Sequence, residues 1–421
     1  IALKIATFDY LNPMFRILTY LLLLFAYSAS AQQSWCGVKQ YADPDKNAVY
    51  QNFLQGAKEI ELKTPIHKRD IRYFQVVIHV VARDGYQPVS RAQALQQLDV
   101  LNNDFAAMGD NINKLPDEFK TLVENADMHF CLATLDPEGN PTPGITFTST
   151  TEEFIGTNIG EGGRRVIQWD ELGGKAGWDP TRYVNIWVGE CLDILGSATM
   201  PGEANFPEEI GIIIDIRHFG TIGDAGHFNP YGRGHTLTHE MGHFFGLKHI
   251  WGQGFGEDCS DSDDIDDTPN AGGPHYGCPE GEQSSCSTSN MYQNFMDLTD
   301  DSCLAAFTHD QVARMNSAID MYYPDLAGAS CQTYQAGFDQ WFDQLNWSTD
   351  PASFKIIVYH PDGWMGKKEI RVFSMDGKLV FQNEWNEELT SLINLQNVAS
   401  GIYLVNITMG DECRSRKIVV Y

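Results

Sequence analysis

Three histidines in one short segment have the spacing of metal ligands. His239 and His243 are four residues apart in the segment 234–249, GHTLTHEMGHFFGLKH. Residues four apart on a helix leave the same face, so both imidazoles can occupy neighbouring corners of a zinc tetrahedron. A third ligand, His249, must approach from another direction, and Gly246 is the residue at which the helix can end with positive φ. Three neutral nitrogens leave one coordination position open, which is typical of a catalytic zinc site.

Glu240, between the first two histidines, is a candidate general base. Its side chain leaves the helix beside the metal rather than toward it, so the carboxylate can take a proton from a water whose pKa zinc has lowered to about 7. A chance pair of surface histidines is the alternative, and the glycine and the third histidine at fixed offsets argue against it. The segment therefore predicts metal-assisted hydrolysis. Four further histidines are interpreted as solvated or structural: His218, His227, His235 and His309.

The hydrophobic pattern predicts the elements that hold these ligands. Apolar runs predict buried strands at 74–81, 128–133, 183–188 and 211–216. Ser90 can cap a helix whose apolar residues recur at helical spacing, namely Leu95, Leu98, Leu101 and Phe105. Strands mixed with helices favour an α+β or α/β catalytic domain.

Composition limits the partners of the chain. Its 421 residues, of which 43% are hydrophobic and 20% charged, are enough for a globular protein of more than one domain. The net charge of −27 repels the phosphates of nucleic acid and anionic membrane surfaces, which excludes both as default partners.

The N-terminal part predicts export. Residues 1–31 are interpreted as a signal peptide that starts at Met14, because an apolar run at 17–27 precedes the small residues 29–31. A membrane anchor is the alternative, but an apolar helix this short spans only ~16 Å of a ~30 Å hydrocarbon core, and no stable span is expected elsewhere. The further boundaries are predicted as follows: a propeptide at 32–70, a protease domain at 71–323, a linker at 324–350 and a small β-sandwich at 351–421.

An irregular loop after the histidines combines carboxylates with cysteines. It lacks hydrophobic periodicity between 251 and 290, and its acidic residues are Asp258, Asp261, Asp263, Asp264, Asp266 and Asp267. Closely spaced oxygen ligands in such a loop favour a calcium site, with a solvated charge run as the alternative. The nine cysteines of an exported chain should mostly pair, with one left over. Four of them are expected to tie the loop down: Cys259, Cys278, Cys286 and Cys303.

The pattern His239-Glu240-x-x-His243-x-x-Gly246-x-x-His249 resembles the metzincin zinc endopeptidases. Those enzymes carry a methionine turn below the metal, and Asn294-Phe295-Met296-Asp297 fits it, with Met296 as the methionine. The segment 266–269, Asp-Asp-Thr-Pro, and the four loop cysteines narrow the resemblance to the pappalysin (ulilysin-like) family over residues 36–320.

This resemblance implies an α+β metzincin-type domain, with a mixed twisted sheet and a zinc-binding helix, that acts on protein or peptide substrates. It also implies calcium in the acidic loop and the disulfides Cys259–Cys286 and Cys278–Cys303. Leu298 stands where relatives tend to have tyrosine, so a phenolic hydrogen bond to the transition state has no donor here.

The C-terminal part has six short alternating segments separated by turn signals, which predicts a β-sandwich. With its segments 400–405 and 417–421 it resembles the sorting domain of type IX secretion in Bacteroidetes, which implies the secretion machinery as a partner. A carbohydrate-binding or adhesive module of similar size is the alternative.

Cys36 is a candidate zymogen switch. If Cys131, Cys191, Cys331 and Cys413 pair among themselves, Cys36 is the odd cysteine. A thiolate is a strong zinc ligand and could fill the open coordination position until cleavage near Lys68, Arg69 or Arg72 releases the propeptide. Pappalysin-like proenzymes are understood to use such a switch. A disulfide between Cys36 and Cys331 is the alternative.

The sequence as a whole predicts a secreted zinc endopeptidase made as a latent zymogen. A non-catalytic zinc-containing surface adhesin and a processing protease with one target are the alternatives. Asp300 and Asp301 follow the methionine turn closely enough to line the S1′ pocket and select Arg or Lys there, unless they lie exposed at the surface.

Overall fold

A computed structural model describes most of the chain. The described residues are 36–37, 44–61, 71–83, 89–223, 225–227, 230–252, 259–328, 331, 346–350, 355–359, 368–385, 390–395, 398–409 and 412–420. The predicted signal peptide, Lys68, Arg69, Asp258 and most of the predicted linker lie outside them. Within these ranges, no helix has both the length and the apolar composition that a membrane crossing requires.

A six-stranded mixed sheet forms the frame of the protease domain. Its strands are β1 Arg72–Arg83, β2 Met128–Leu132, β3 Ile145–Thr150, β4 Val184–Gly189, β5 Gly196–Ala198 and β6 Ile212–Asp215. The order is β2-β1-β4-β6-β5, and β3 pairs with the second half of β1. All pairings are parallel except that of β5 with β6, so β5 is an antiparallel edge strand. The predicted mixed sheet is thereby confirmed, although β3 and β5 were not predicted.

Five α-helices lie among the described residues of the predicted propeptide and protease domain, and three of them contribute to the core on one face of the sheet. The five helices are α1 Pro44–Glu61, α2 Arg91–Phe105, α3 Asp117–Lys120, α4 His235–Phe244 and α5 His309–Tyr322. Ser90 caps α2 as predicted, since its side chain accepts the N–H of Gln93 at 3.0 Å. One core combines alternate residues of β1 with apolar residues of α2, α4 and α5, for example Val76, Ile78, Leu98, Leu101, Met241 and Met315. Helix α1, inside the predicted propeptide, was not anticipated.

The C-terminal part is all-β, as predicted. One antiparallel sheet contains β9 Asn346–Asp350, β10 Lys355–Tyr359 and β13 Thr390–Asn394. The other contains β11 Lys368–Ser374, β12 Leu379–Trp385, β14 Gly401–Met409 and β15 Glu412–Val420. Strand β9 pairs with β10 along its whole length, so the β region includes residues 346–350, which were predicted as part of the linker. A two-stranded hairpin, β7 Ser284–Ser285 and β8 Thr288–Ser289, lies in the irregular loop of the protease domain.

The disulfides tie distant segments together. The structure contains Cys259–Cys286 and Cys278–Cys303, the two pairings that the resemblance implied. A third disulfide, Cys131–Cys331, joins residues 200 positions apart and attaches the start of the predicted linker to β2. The expectation that Cys191 pairs is wrong. Its thiol is fully buried in an apolar cluster on the other side of the sheet, where no second cysteine among the described residues can reach it.

Candidate active site

Helix α4, which carries His239 and His243, is anchored through its first turn. Buried Asp104 on α2 accepts a hydrogen bond from the hydroxyl of Thr238 at 2.6 Å, and its carboxylate lies 2.7 Å from Nδ1 of His235. Gln97, also on α2, donates to the carbonyl oxygen of Gly234 at 2.9 Å. Two residues of α2 that lie about two turns apart therefore fix the start of α4, and with it the histidines one and two turns further along that helix.

Three histidines converge as the spacing predicts. Nε2 of His243 lies 3.1 Å from Nε2 of His239 and 3.2 Å from Nε2 of His249. All three side chains are buried, with 0–7% of their surface exposed. After α4 ends, Gly246 adopts a φ of 89°, and the chain turns so that His249 faces the other two rings. The ring of His249 stacks on Trp251, with centroids 4.4 Å apart, which fixes its orientation.

Hydrogen bonds decide which nitrogen carries the proton in two of the rings. Nδ1 of His239 lies 2.7 Å from the carbonyl oxygen of Phe295, and Nδ1 of His243 lies 2.8 Å from that of Leu247. A carbonyl oxygen only accepts, so both Nδ1 atoms donate and the Nε2 lone pairs point at one another. Burial lowers the pKa of His239 to about 4 and that of His243 well below its usual range, so the rings are neutral.

This donor set fits zinc. Lone pairs 3.1 Å apart repel each other unless a cation lies among them. Zinc–nitrogen bonds of about 2.0–2.1 Å place the nitrogens of a tetrahedron about 3.3 Å apart, close to the separations found here. The carbonyl groups that fix the rings provide the outer hydrogen bonds that metal-binding histidines require.

A methionine turn lies beneath the histidines. The N–H of Asp297 donates to the carbonyl of Asn294 at 3.0 Å, which closes the turn 294–297, and Met296 is fully buried within it. Asn294 is fixed by a pair of hydrogen bonds to Gln311 at the start of α5. A Cβ on Gly242 would come within 2.4 Å of the Met296 sulfur. The glycine on the lower face of α4 therefore allows the turn to pack directly under the ligand helix.

Glu240 lies between the ligand helix and the edge strand of the sheet. It is 1% exposed, and burial raises its pKa to about 8. A hydrogen bond with Cys36 and the positive charge of Arg165 act in the opposite direction, because both favour the ionised form. Its Oε2 atom is buried and lacks a hydrogen-bond partner in the described part of the chain. A Cβ on Gly196 in β5 would come within 2.7 Å of Glu240 Cγ, so only glycine leaves room for this carboxylate.

Cys36 reaches the same centre from the N-terminal segment. Its sulfur and one ligand nitrogen from each of His239, His243 and His249 lie within 4.8 Å of one another. The N–H of Gly37 donates to the carbonyl oxygen of Gly196 at 2.8 Å, so the segment 36–37 adds to the free edge of β5. The alternative of a Cys36–Cys331 disulfide is wrong, because Cys331 bonds to Cys131.

The two candidate S1′ residues have different surroundings. Asp301 is fully buried at the start of α4, and its Oδ2 accepts the N–H of Arg233 at 2.7 Å. Its Oδ1 is buried and has no hydrogen-bond partner among the residues that the structure describes. Asp300 is partly exposed. The alternative of surface exposure is therefore wrong for Asp301.

The carboxylates of the acidic loop bond to protein groups. Asp263 accepts the hydroxyl of Thr268 at 2.7 Å, and Asp264 forms an ion pair with Lys248 at 2.7 Å. Asp267 accepts the hydroxyl of Thr308, the N-cap residue of α5, at 2.6 Å and the N–H of Asp310 in the first turn of that helix at 3.0 Å. Asp261 is partly buried and Asp266 is exposed. Among the described residues, no group of three acidic side chains of this loop converges at metal-ligand distance.

Three site residues were not predicted: Gly196, Arg165 and His275. The buried carboxylate of Asp297 accepts the backbone N–H of His275 at 2.8 Å and lies 2.7 Å from its Nδ1, so this ring lies beside the methionine turn. Leu298, the residue after Asp297, is 4% exposed. A glycine in a three-residue edge strand and an arginine and a histidine in irregular segments carry no local signal, and only the packing of distant segments brings them to the site.

Comparison with known proteins places this site in a family. A family model described as pregnancy-associated plasma protein-A matches residues 170–320, and one described as a secretion system C-terminal sorting domain matches residues 350–421. A promirolysin variant from Tannerella forsythia is 36% identical with a TM-score of 0.62, over 69% of this chain and 95% of that chain. Mature mirolysin from the same organism, in complex with a cleaved peptide, is 38% identical with a TM-score of 0.56, over 62% of this chain and 100% of that chain.

Curated relatives cover a smaller region. An extracellular metalloprotease of Arthroderma benhamiae is 41% identical over 93 residues, which is 22% of this chain and 31% of the relative. One of Aspergillus oryzae is 42% identical over 145 residues, which is 32% of this chain and 44% of the relative. The match therefore spans about a third of the length of the first of these relatives.

Since the chain covers nearly all of promirolysin at 36% identity, it belongs to the pappalysin family of metallopeptidases. This finding confirms the predicted metzincin-type fold and the prediction of a metalloendopeptidase. The C-terminal match confirms the predicted sorting domain, so the chain carries a signal for export.

Proposed function

We propose that this protein is a secreted zinc endopeptidase made as a latent zymogen. The observation that carries the proposal is the convergence of three neutral histidines on one point beside a buried carboxylate. His239, His243 and His249 would hold the metal, and Glu240 lies next to them without being a ligand. A zinc ion bound there supplies Lewis-acid chemistry, which polarises a peptide carbonyl and lowers the pKa of water.

Glu240 performs the proton transfers in this proposal. Its Oε2 atom is open to a proton from the attacking water, and the same carboxyl group then delivers that proton to the nitrogen of the leaving amine. The neighbouring Gly196 provides the space for this side chain. The free edge of β5 orients the peptide, since its backbone groups can pair with an extended chain in the way they now pair with Gly37.

The carboxylate distinguishes an enzyme from an adhesin that retains only the fold. Replacing Glu240 by Gln should leave zinc bound and remove most peptidase activity, because the general base is lost while all three ligands remain. Zinc content by atomic absorption and turnover of a denatured protein substrate measure the two effects. Glu208→Gln, at an exposed glutamate, is the matched control. Near wild-type turnover in a folded, zinc-loaded Glu240→Gln variant would refute the mechanism.

Latency in this proposal comes from the Cys36 thiol. It lies where an open coordination position and the substrate backbone would meet, and it hydrogen-bonds to Glu240. Arg72 begins β1, and its N–H donates to the carbonyl oxygen of Asp127 at 2.8 Å, so Lys68 and Arg69 are the better cleavage sites. Cys36→Ala in the uncleaved chain should be active, and unchanged latency with an intact propeptide would reject the switch.

Asp301 supports a preference for Arg or Lys at P1′. The Oδ1 atom of Asp301 is buried and has no hydrogen-bond partner among the described residues, while Oδ2 accepts the N–H of Arg233, six residues before His239. Burial raises the pKa of this carboxyl group, and a basic P1′ side chain beside it would stabilise the ionised form and pair with it. Calcium in the acidic loop remains part of the proposal. Five carboxylates lie between 259 and 267 in a loop closed by two disulfides, and oxygen-rich loops of this kind suit calcium.

A further inference from the structure

Helix α1 of the predicted propeptide is packed like part of the protease core. Tyr50, Phe53 and Ala57 are fully buried, and Leu54 is 5% exposed. These side chains form one apolar cluster with Met200 and Ala318 of the protease domain. A segment whose only role was to carry a thiol to the metal would not need a helix face made of buried apolar side chains.

The protease surface under α1 is shaped for close helix contact. A Cβ on Gly202 would come within 2.7 Å of the Val49 side chain, and one on Gly246 within 2.8 Å of the Phe53 ring. The same ring meets Tyr322 edge-on, with centroids 5.8 Å apart. We call this surface the α1 groove, and its residues are Met200, Gly202, Gly246, Ala318, Met321 and Tyr322. Gly246 lies in the turn between two predicted zinc ligands.

Tyr50 also covers buried charge. The ammonium group of Lys248 lies 4.8 Å from the centroid of the Tyr50 ring, and the Tyr50 hydroxyl donates to the carbonyl oxygen of Gly246 at 3.4 Å. Lys248 and Arg314 are only 3% and 2% exposed with α1 in place. Departure of α1 would therefore expose both an apolar surface and two cationic side chains whose present contacts include Tyr50.

We propose that the α1 groove is a binding site that keeps residues 36–61 on the protease after the chain is cut between 62 and 70. The partner is thus the excised propeptide itself, held without a covalent bond. This proposal rests on the zymogen function proposed above. Because α1 stays bound, Cys36 stays close to the metal at a high effective concentration. The first cut does not by itself activate the enzyme, and release requires loss of α1 from the groove.

The contacts give the two described parts of the propeptide different roles: α1 provides the binding surface, and residues 36–37 place the thiol near the histidines. Four apolar side chains of α1 are buried, whereas residues 36–37 present a single side chain to the protease, the Cys36 thiol, beside a backbone hydrogen bond from Gly37 to Gly196. Burial of large apolar side chains dominates most interfaces, with a few central residues carrying most of the affinity. Phe53, in contact with Gly246 and Tyr322, lies at the centre of the groove.

The experiment uses the full chain with Glu240→Ala to prevent self-cleavage, and with residues 64–67 replaced by the recognition sequence of a site-specific protease. After cutting, size-exclusion chromatography and intact mass spectrometry show whether the fragment co-elutes with the protease. The fragment should co-elute in this chain and also when Cys36→Ala is added. Phe53→Ala should release it, with a dissociation constant raised about tenfold or more. Gln55→Ala, at an exposed position of α1, is the matched control.

Release of the fragment from the chain without further substitution would overturn the proposal. So would release by Cys36→Ala together with retention in Phe53→Ala, because the thiol would then be the anchor. If Phe53→Ala does not fold, Leu54→Ala tests the same cluster with a smaller truncation. The measurement reports binding and not turnover, so it is independent of whether the Glu240 and Cys36 tests of the proposed function succeed.

Discussion

Gly196→Ala tests whether the edge strand sets the position of the general base. A Cβ at this position would lie 2.7 Å from Cγ, 3.0 Å from Oε1 and 3.1 Å from Cδ of Glu240. Ordinary carbon contacts are about 3.5–4.0 Å long, so the side chain of Glu240 must move by about 1 Å. Gly196 is not in the left-handed region of backbone conformation, so alanine fits its backbone and the effect comes from space alone.

A displacement of about 1 Å in a catalytic group can reduce the rate about 100-fold, which corresponds to about 2.7 kcal/mol of transition-state stabilisation. We expect kcat of the mature Gly196→Ala enzyme to fall by this factor, with zinc content and melting temperature close to those of the parent. Steady-state turnover of a peptide substrate measures kcat, and atomic absorption measures zinc.

Ser197→Ala is the matched control for Gly196→Ala. It changes the next position of β5 without adding an atom toward Glu240, and it removes only the hydroxyl that accepts a 3.3 Å hydrogen bond from Arg165, so its kcat should stay within a few-fold of the parent enzyme. A zinc-loaded Gly196→Ala enzyme with undiminished kcat would show that the contact with β5 does not position the carboxylate.

Three further changes test the pocket, the loop and the C-terminal part. Asp301→Asn should reduce the preference for Arg over Ala at P1′ by about 10- to 100-fold, because the counter-charge is lost while the acceptor for the Arg233 N–H remains. Competition between two peptides that differ only at P1′ measures the ratio of the two cleavage rates. An unchanged ratio would show that Asp301 does not line the pocket. Chelation of calcium at constant zinc should lower the melting temperature and make the loop 259–303 sensitive to proteolysis, whereas an identical melting curve would favour the alternative of solvated acids. Deletion from Asn346 onward should leave a folded, active protease that accumulates in the periplasm, because no strand of the protease sheet is removed, and normal secretion of the shortened chain would contradict the role of the sorting domain.

Local spacing allowed the sequence to predict the ligand helix. His239 and His243 share a helix face because they are four residues apart, and Gly246 ends that helix because it alone tolerates the required φ. Strand positions could be predicted in the same way, since a long apolar run such as the one at 74–81 has few alternatives to burial in a sheet. These features depend on residues close together in the chain.

The tertiary structure decided every contact between distant segments. Whether Cys36 reaches the histidines, and whether Gly196 leaves room for Glu240, depends on how an edge strand is placed relative to α4. Helix α1 has a polar composition overall, and only the groove that receives it reveals which of its residues are core.

The cysteines show the same limit. The count predicted mostly paired thiols, but Cys131 and Cys331 meet across 200 residues, while Cys191 is enclosed in an apolar cluster without a partner cysteine. The sequence by itself determined the chemistry of this protein, because ligand type and helical spacing are local properties. Which side chains surround that chemistry was decided by sheet order and helix packing, which bring together residues that no local pattern connects.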